Sequence, residues 1–150
     1  MLTLSYLGEA KSLNLDKNTL KLLIVRRPVN GIPNGFIHTP QLSPSNELFE
    51  KAQLWKANKF NDEDIKYLKE RGVSPESKDA WWILYERDFS LEINNRKDMI
   101  KALERLQILL KEGKKICLFC YCKDVNRCHR GIIGQHIKSL GFEVDFRDKE

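Results

Sequence analysis

The chain contains no apolar run approaching the roughly 20 residues needed to cross a bilayer, so a helical membrane span is not expected. Cysteine is confined: all four fall between positions 117 and 128. A secreted scaffold would distribute its half-cystines across the domain, so a disulfide framework is excluded. The N-terminus Met1–Glu9 lacks a basic n-region, which argues against a cleaved signal peptide. No internal repeat or low-complexity segment is visible. These absences together predict a cytoplasmic protein with no membrane partner.

What is present describes one folded domain. The 150 residues are 41% hydrophobic and 31% charged, proportions of an ordinary globular chain rather than a disordered one. The net charge of +5 is unevenly placed. Residues 111–138 carry seven basic and two acidic groups, whereas residues 1–110 carry 17 and 15. Positive charge therefore collects around the cysteines, where it favours an anionic ligand such as a nucleotide, a phosphate ester or a nucleic-acid backbone. Solvated lysines flanking a helix end give the same count.

Periodicity supplies the elements. Leu2–Leu7 alternates as a strand does, and Lys21–Val25 is a short continuous apolar run of the kind covered on both faces. The stretch from Gly31 to Pro44 holds Gly31, Pro33, Gly35, Pro40 and Pro44, which predicts a long irregular connection. Ser45 or Ser43 caps a helix over residues 46–57, Asn61 caps a second through Lys69, and residues 77–93 form a third. The strongest helix is 96–112, with Met99, Ile100, Leu103, Leu106 and Leu110 on one face and Gly113 at its stop. A buried strand at Ile116–Tyr121, a helix over Gly131–Leu140 and a strand over Phe142–Phe146 complete an α/β domain with a small, open, mostly parallel sheet and helices packed on it. The tail from Arg147 is expected to fray.

The turn Cys122–Arg130, between the buried strand and the last helix, is the candidate site. Open α/β sheets bind ligands at the carboxyl ends of their strands, and a helix N-terminus offers unpaired N–H groups to an anion. Three chemistries compete there. Zinc would draw on Cys120, Cys122, Cys128 and His129, but two cysteines separated by one residue on a strand sit about 6–7 Å apart, too far for one metal unless the strand bends. A nucleophilic Cys128 at the helix start, beside Arg127, His129 and Arg130, would have its pKa lowered; the phosphatase spacing of cysteine and arginine is absent. An anion pocket, with Arg130 and the helix N-terminus holding phosphate or carboxylate and the cysteines mostly as small buried hydrophobes, needs the least special geometry and is preferred. His136 reads as a core or boundary residue and His38 as a surface-loop residue.

These residues carry a family resemblance. Cys120-Tyr121-Cys122 followed by Cys128-His129-Arg130 resembles the signature of the domain of unknown function 488 (DUF488) proteins, in which a strand ends in Cys-x-Glu and a short loop leads to Cys-His-Arg. Val25-Arg26-Arg27-Pro28 is similar to that family's Val-Arg-x-x-Pro, and Leu42-Ser43-Pro44-Ser45 to its Leu-Ala-Pro-Ser. The resemblance implies an α/β fold in which the arginine-bearing ends of two strands converge, with Arg26, Arg27, Cys120, Cys128, His129 and Arg130 as the shared set. Cys122 departs from it, standing where the family usually has glutamate; if that acid is the family's base, this chain lacks it.

The functional expectation is an Arg/His/Cys pocket for a phosphate-bearing, nucleotide-like ligand. Cys128 and His129 are the candidate catalytic groups, and Arg26, Arg27, Cys120, Cys122 and Arg130 the ligand-binding ones. No cofactor or metal is assigned, and oligomeric state is left open. One alternative is a nucleic-acid-binding or DNA-processing accessory module stacking bases on Trp55, Trp81, Trp82 and Tyr85, although helical spacing suits those rings to a core. The other is a small structural zinc or thiol-redox protein.

Overall fold

The computed structural model describes residues 1–147. Five strands form one sheet: β1 (Leu2–Tyr6), β2 (Leu20–Leu23), β3 (Phe36–His38), β4 (Ile116–Cys120) and β5 (Val144–Asp145), in the order β3-β2-β4-β1-β5. Every pairing is parallel, so the expected mostly parallel sheet is wholly so among the described residues. Parallel pairing demands long crossovers, and most of the chain between β3 and β4 supplies one. It holds α1 (Asn46–Lys56), α2 (Asp62–Glu70), α3 (Ala80–Asn95) and α4 (Lys97–Lys111), while α5 (His129–Ser139) connects β4 to β5.

Local chemistry explains most boundaries. The Ser45 hydroxyl accepts from Leu48 N and the Asn61 side chain from Asp64 N, each satisfying an orphan donor at a helix start. α4 ends at Gly113 with φ +83°, the left-handed turn that glycine adopts without strain. β4, Ile-Cys-Leu-Phe-Cys, is buried throughout, as a central strand covered on both faces must be. α3 is the hub of the helical layer, touching α1, α2, α4 and α5.

One expectation fails. The stretch 31–44 is not irregular: it contains β3 and a 3-10 turn at Pro40–Leu42. Phe36 packs edge-on against Phe119, centroids 4.9 Å apart, so tertiary contact outweighs the glycines and prolines around it. Arg147 is anchored by an ion pair to Glu9 at 3.2 Å; the rest of the tail expected to fray, 148–150, lies outside the described residues. No helix among the described residues is long and apolar enough to cross a membrane.

Candidate functional site

The carboxyl ends of β2 and β4 open into a cavity of about 460 Å³, within the range of small-molecule sites. β2 leads into Val25, Arg26 and Arg27. β4 ends at Cys120 and leads into Tyr121 and Cys122, and the turn into α5 contributes Arg127, Cys128 and His129; Phe49 and Lys56 of α1 and Trp81 and Tyr85 of α3 close the walls.

Two histidines hold the arginine-bearing segment. His129 Nε2 lies 2.7 Å from Ile24 O and His38 Nε2 lies 2.7 Å from Val25 O. A carbonyl only accepts, so both ring nitrogens donate. His129 therefore keeps its Nδ1 lone pair, which faces Cys128 Sγ at 3.7 Å. Its ring packs edge-on against Phe89, and full burial pushes its pKa down, leaving a neutral imidazole. His38 is thus a structural partner of β2 and does not line the cavity.

The cysteines divide by burial. Cys122 is exposed, while Cys117, Cys120 and Cys128 are buried. The sulfurs of Cys120, Cys122 and Cys128 all lie within 4.8 Å of one another, with Cys120 and Cys128 at 2.8 Å. The separation expected from strand geometry does not apply, because the strand ends at Cys120 and the chain turns there. The neighbouring sulfurs of Cys120 and Cys128 hold the Cys122 thiol well below the ordinary thiol range, against burial, with the Lys56 ammonium adding to the effect. Cys120 is raised to about 11, first because Cys122 holds the charge they share, and Cys128 is pushed up by burial. The directions of these shifts put the lowered pKa on the exposed sulfur and the raised ones on the two buried sulfurs. Cys128, expected as the nucleophile, is 2% exposed and stays protonated.

This trio is also the group of described residues with the spacing of a metal site. Against that use, Arg130 Nη1 donates to Cys120 Sγ at 2.9 Å, a fixed cation at the position a second cation would have to share.

Arg130 occupies a different place from the one its sequence position implies. It is 2% exposed, and its guanidinium bonds Cys120 Sγ and the carbonyls of Cys122 and Lys123. Its Nε is buried without a hydrogen-bond partner among the described residues. It lies beneath the turn and braces it, and it is not among the residues lining the cavity. The cavity cations are Arg26, Arg27, Lys56 and Arg127. Arg26 donates to Pro44 O at 2.9 Å, Arg127 pairs with Asp79 at 2.9 Å, and Lys56 lies 4.4 Å from the Trp81 ring centroid. Arg27 has no carboxylate partner among the described residues. Glu50 is the one acid on the wall.

Of the four aromatic residues expected to stack bases, Trp55 and Trp82 are buried in the core, Trp55 with its Nε1 bonded to Asp64. Trp81 and Tyr85 do reach the cavity. Tyr121 was not singled out from sequence: its hydroxyl accepts from Val29 N at 2.6 Å, tying the cysteine turn to the arginine loop. Lys56 and Phe49 were missed as well. They are brought here only by the packing of α1 on α3, and no local pattern marks them.

No curated protein and no solved structure matches the chain. A family model described as DUF488-N3a, the active DUF488-N3 subclade, spans residues 6–141, from the end of β1 to the turn after α5. On that match, covering both strand ends and the whole of the cysteine turn, the chain belongs to the DUF488 family.

Proposed function

We propose that the protein is a thiol-dependent enzyme acting on an anionic, nucleotide-like ligand bound in the β2–β4 cavity, with Cys122 as the reacting group. The observation that carries this reading is the exposed Cys122 thiol, its sulfur within 4.8 Å of two buried ones, inside a cavity lined by four cations and one acid. A thiolate rather than a thiol is the nucleophile, and Cys122 supplies that negative charge where the family pattern has glutamate. Arg26, Arg27, Lys56 and Arg127 attract phosphate or carboxylate, and Phe49, Trp81, Tyr85 and Tyr121 offer apolar faces for a planar group. His129 Nδ1 accepts a proton through Cys128, so the site has an acid/base route from sulfur to imidazole.

The test combines binding with turnover. Nucleotides and sugar phosphates are screened for a rise in melting temperature, and the best ligand is then followed for conversion. Cys122→Ser should retain the thermal shift and lose conversion. A Cys122→Ser protein as active as wild type would overturn the thiol assignment; a screen with no shift from any phosphate-bearing probe would overturn the ligand class. A thermal shift with no conversion in wild type would identify a binding module and remove the enzyme reading.

A further inference from the structure

Three sulfurs this close, only one of them accessible, have a second chemistry. We propose that Cys122 is a site of reversible oxidation by hydroperoxides, resolved by Cys128 into a disulfide that closes the cavity's reacting centre. The inference rests on the reading of Cys122 as the reactive thiol, and it concerns the regulation of that same site.

Access selects the first step. All three sulfur-bearing residues line the cavity, but Cys122 alone of them is exposed, whereas Cys120 and Cys128 are 1% and 2% exposed. A peroxide entering the cavity meets Cys122 first. The thiolate attacks one oxygen of the peroxide, the O–O bond breaks, and Cys122 becomes a sulfenic acid while hydroxide or alkoxide leaves and takes up a proton.

Geometry selects the second step. Both remaining sulfurs lie within 4.8 Å of Cys122 Sγ, a gap that must close to about 2.05 Å for a bond. Cys120 is a poor choice. Its sulfur accepts from Arg130 Nη1 at 2.9 Å, which draws off electron density, and only one residue separates it from Cys122, so the disulfide ring would be tight. Cys128 is separated by the loop 123–127 and has a base beside it. Ile24 O holds the Nε2–H of His129 and leaves Nδ1 free to take the Cys128 proton at 3.7 Å. The Cys128 sulfur then attacks the sulfenic sulfur, the S–O bond breaks, and the departing hydroxide leaves as water with that proton. Two thiols and one hydrogen peroxide give one disulfide and two waters. Any thiol reductant reverses it by exchange.

The disulfide removes the thiolate and turns the Cys122 side chain towards Cys128, away from the ligand. Because Tyr121 adjoins Cys122 and bonds Val29, the shift also tugs on the loop that carries Arg27.

Reduced full-length protein treated with equimolar hydrogen peroxide, alkylated and digested with trypsin tests this without knowledge of the substrate. Cleavage after Lys123 and Arg127 should leave Cys128-His129-Arg130 joined to the peptide 116–123, with fragment ions placing the bond on Cys122. Dithiothreitol should restore both free thiols. Cys122→Ser should form no disulfide, and Cys120→Ser should still form it; should the latter variant fail to fold, the fragment ions of wild type decide the partner. A bond from Cys128 to Cys120, or Cys122 over-oxidised while Cys128 remains alkylatable, overturns the proposal. Rapid iodoacetamide labelling of Cys122 with no disulfide on peroxide would sink the switch and leave the site reading intact. Failure of Cys122 to label at all would sink both.

Discussion

The two strand ends that frame the cavity both carry arginines, and they use them in opposite ways. After β2, Arg26 and Arg27 face the cavity; Arg26 bonds backbone carbonyls with part of its guanidinium, and Arg27 has no carboxylate partner among the described residues. After β4, Arg130 spends its guanidinium on one thiol and two carbonyls inside the turn. Nothing in the residue type distinguishes them. Burial does: a charge removed from water needs hydrogen-bond partners, and Arg130 finds them at both Nη atoms, which makes it part of the frame. A cation in contact with solvent and short of partners is available to a ligand.

The largest effect should come from the buried member. Arg130→Met removes the donor of Lys123 O and leaves Cys122 O only the weak Cys120 S–H at 3.6 Å, and charge-assisted bonds of this kind are worth about 1.5–3 kcal/mol each. Urea unfolding should show a loss of about 3 kcal/mol, while Arg27→Ala stays within about 0.5 kcal/mol of wild type. Equal losses from the two variants would break the comparison.

The thiols give the next contrast. At pH 6 an ordinary cysteine with a pKa of about 8.5 is about 0.3% thiolate, whereas Cys122 remains ionised there because its pKa is lowered. Its rate of alkylation should therefore stay flat between about pH 6 and pH 8.5, while that of an unstructured cysteine peptide rises roughly a hundredfold as its thiolate fraction grows from about 0.3% to about half. A rate that rises with pH like that of the peptide would show that the trio shares no thiolate.

Arg27→Ala should weaken the best anionic ligand from the thermal screen about tenfold, equivalent to about 1.4 kcal/mol, with an unchanged melting temperature in its absence. Arg127→Ala should cost less, since Asp79 already offsets its charge. Calorimetric titration of both variants sharpens the comparison within the cavity itself.

The smallest effect belongs to His129. Its folded pKa is depressed by burial, so between that value and about 6.5 the unfolded chain binds a proton that the folded protein refuses. Stability is therefore full above about pH 6.5 and falls as the solution is acidified. His129→Gln, which keeps a donor for Ile24 O, should flatten that acid limb in thermal melts.

Much of this architecture is legible in the residues. Caps at Ser45 and Asn61, the glycine stop at Gly113 and the apolar run of β4 act within a few residues, and each element lies within a few residues of where the pattern places it. The cysteine turn is legible as a ligand site for the same reason, being a strand end followed by a helix start. What the pattern misplaces depends on contacts distant in the chain. β3 exists because Phe36 meets Phe119 and its backbone pairs with β2. Cys122 joins the other sulfurs because β4 ends at Cys120, one residue earlier than its apolar run suggests, and the chain turns there. Arg130 is buried because the turn folds over it, which no spacing announces.

The sheet order has a consequence for how the molecule is made. β2 and β3 pair across the connection 24–35, whereas the strand partners of β1 are β4 and β5, and its register joins Leu2 to Ile116. During synthesis the first strand waits unpaired until the cysteine turn's own strand emerges, since such distant pairing carries its loop-closure entropy before any contact repays it. The centre of the sheet and the reactive sulfurs therefore come together only after β4 and the turn that follows it have emerged, so a shorter nascent chain carries no complete thiol cluster.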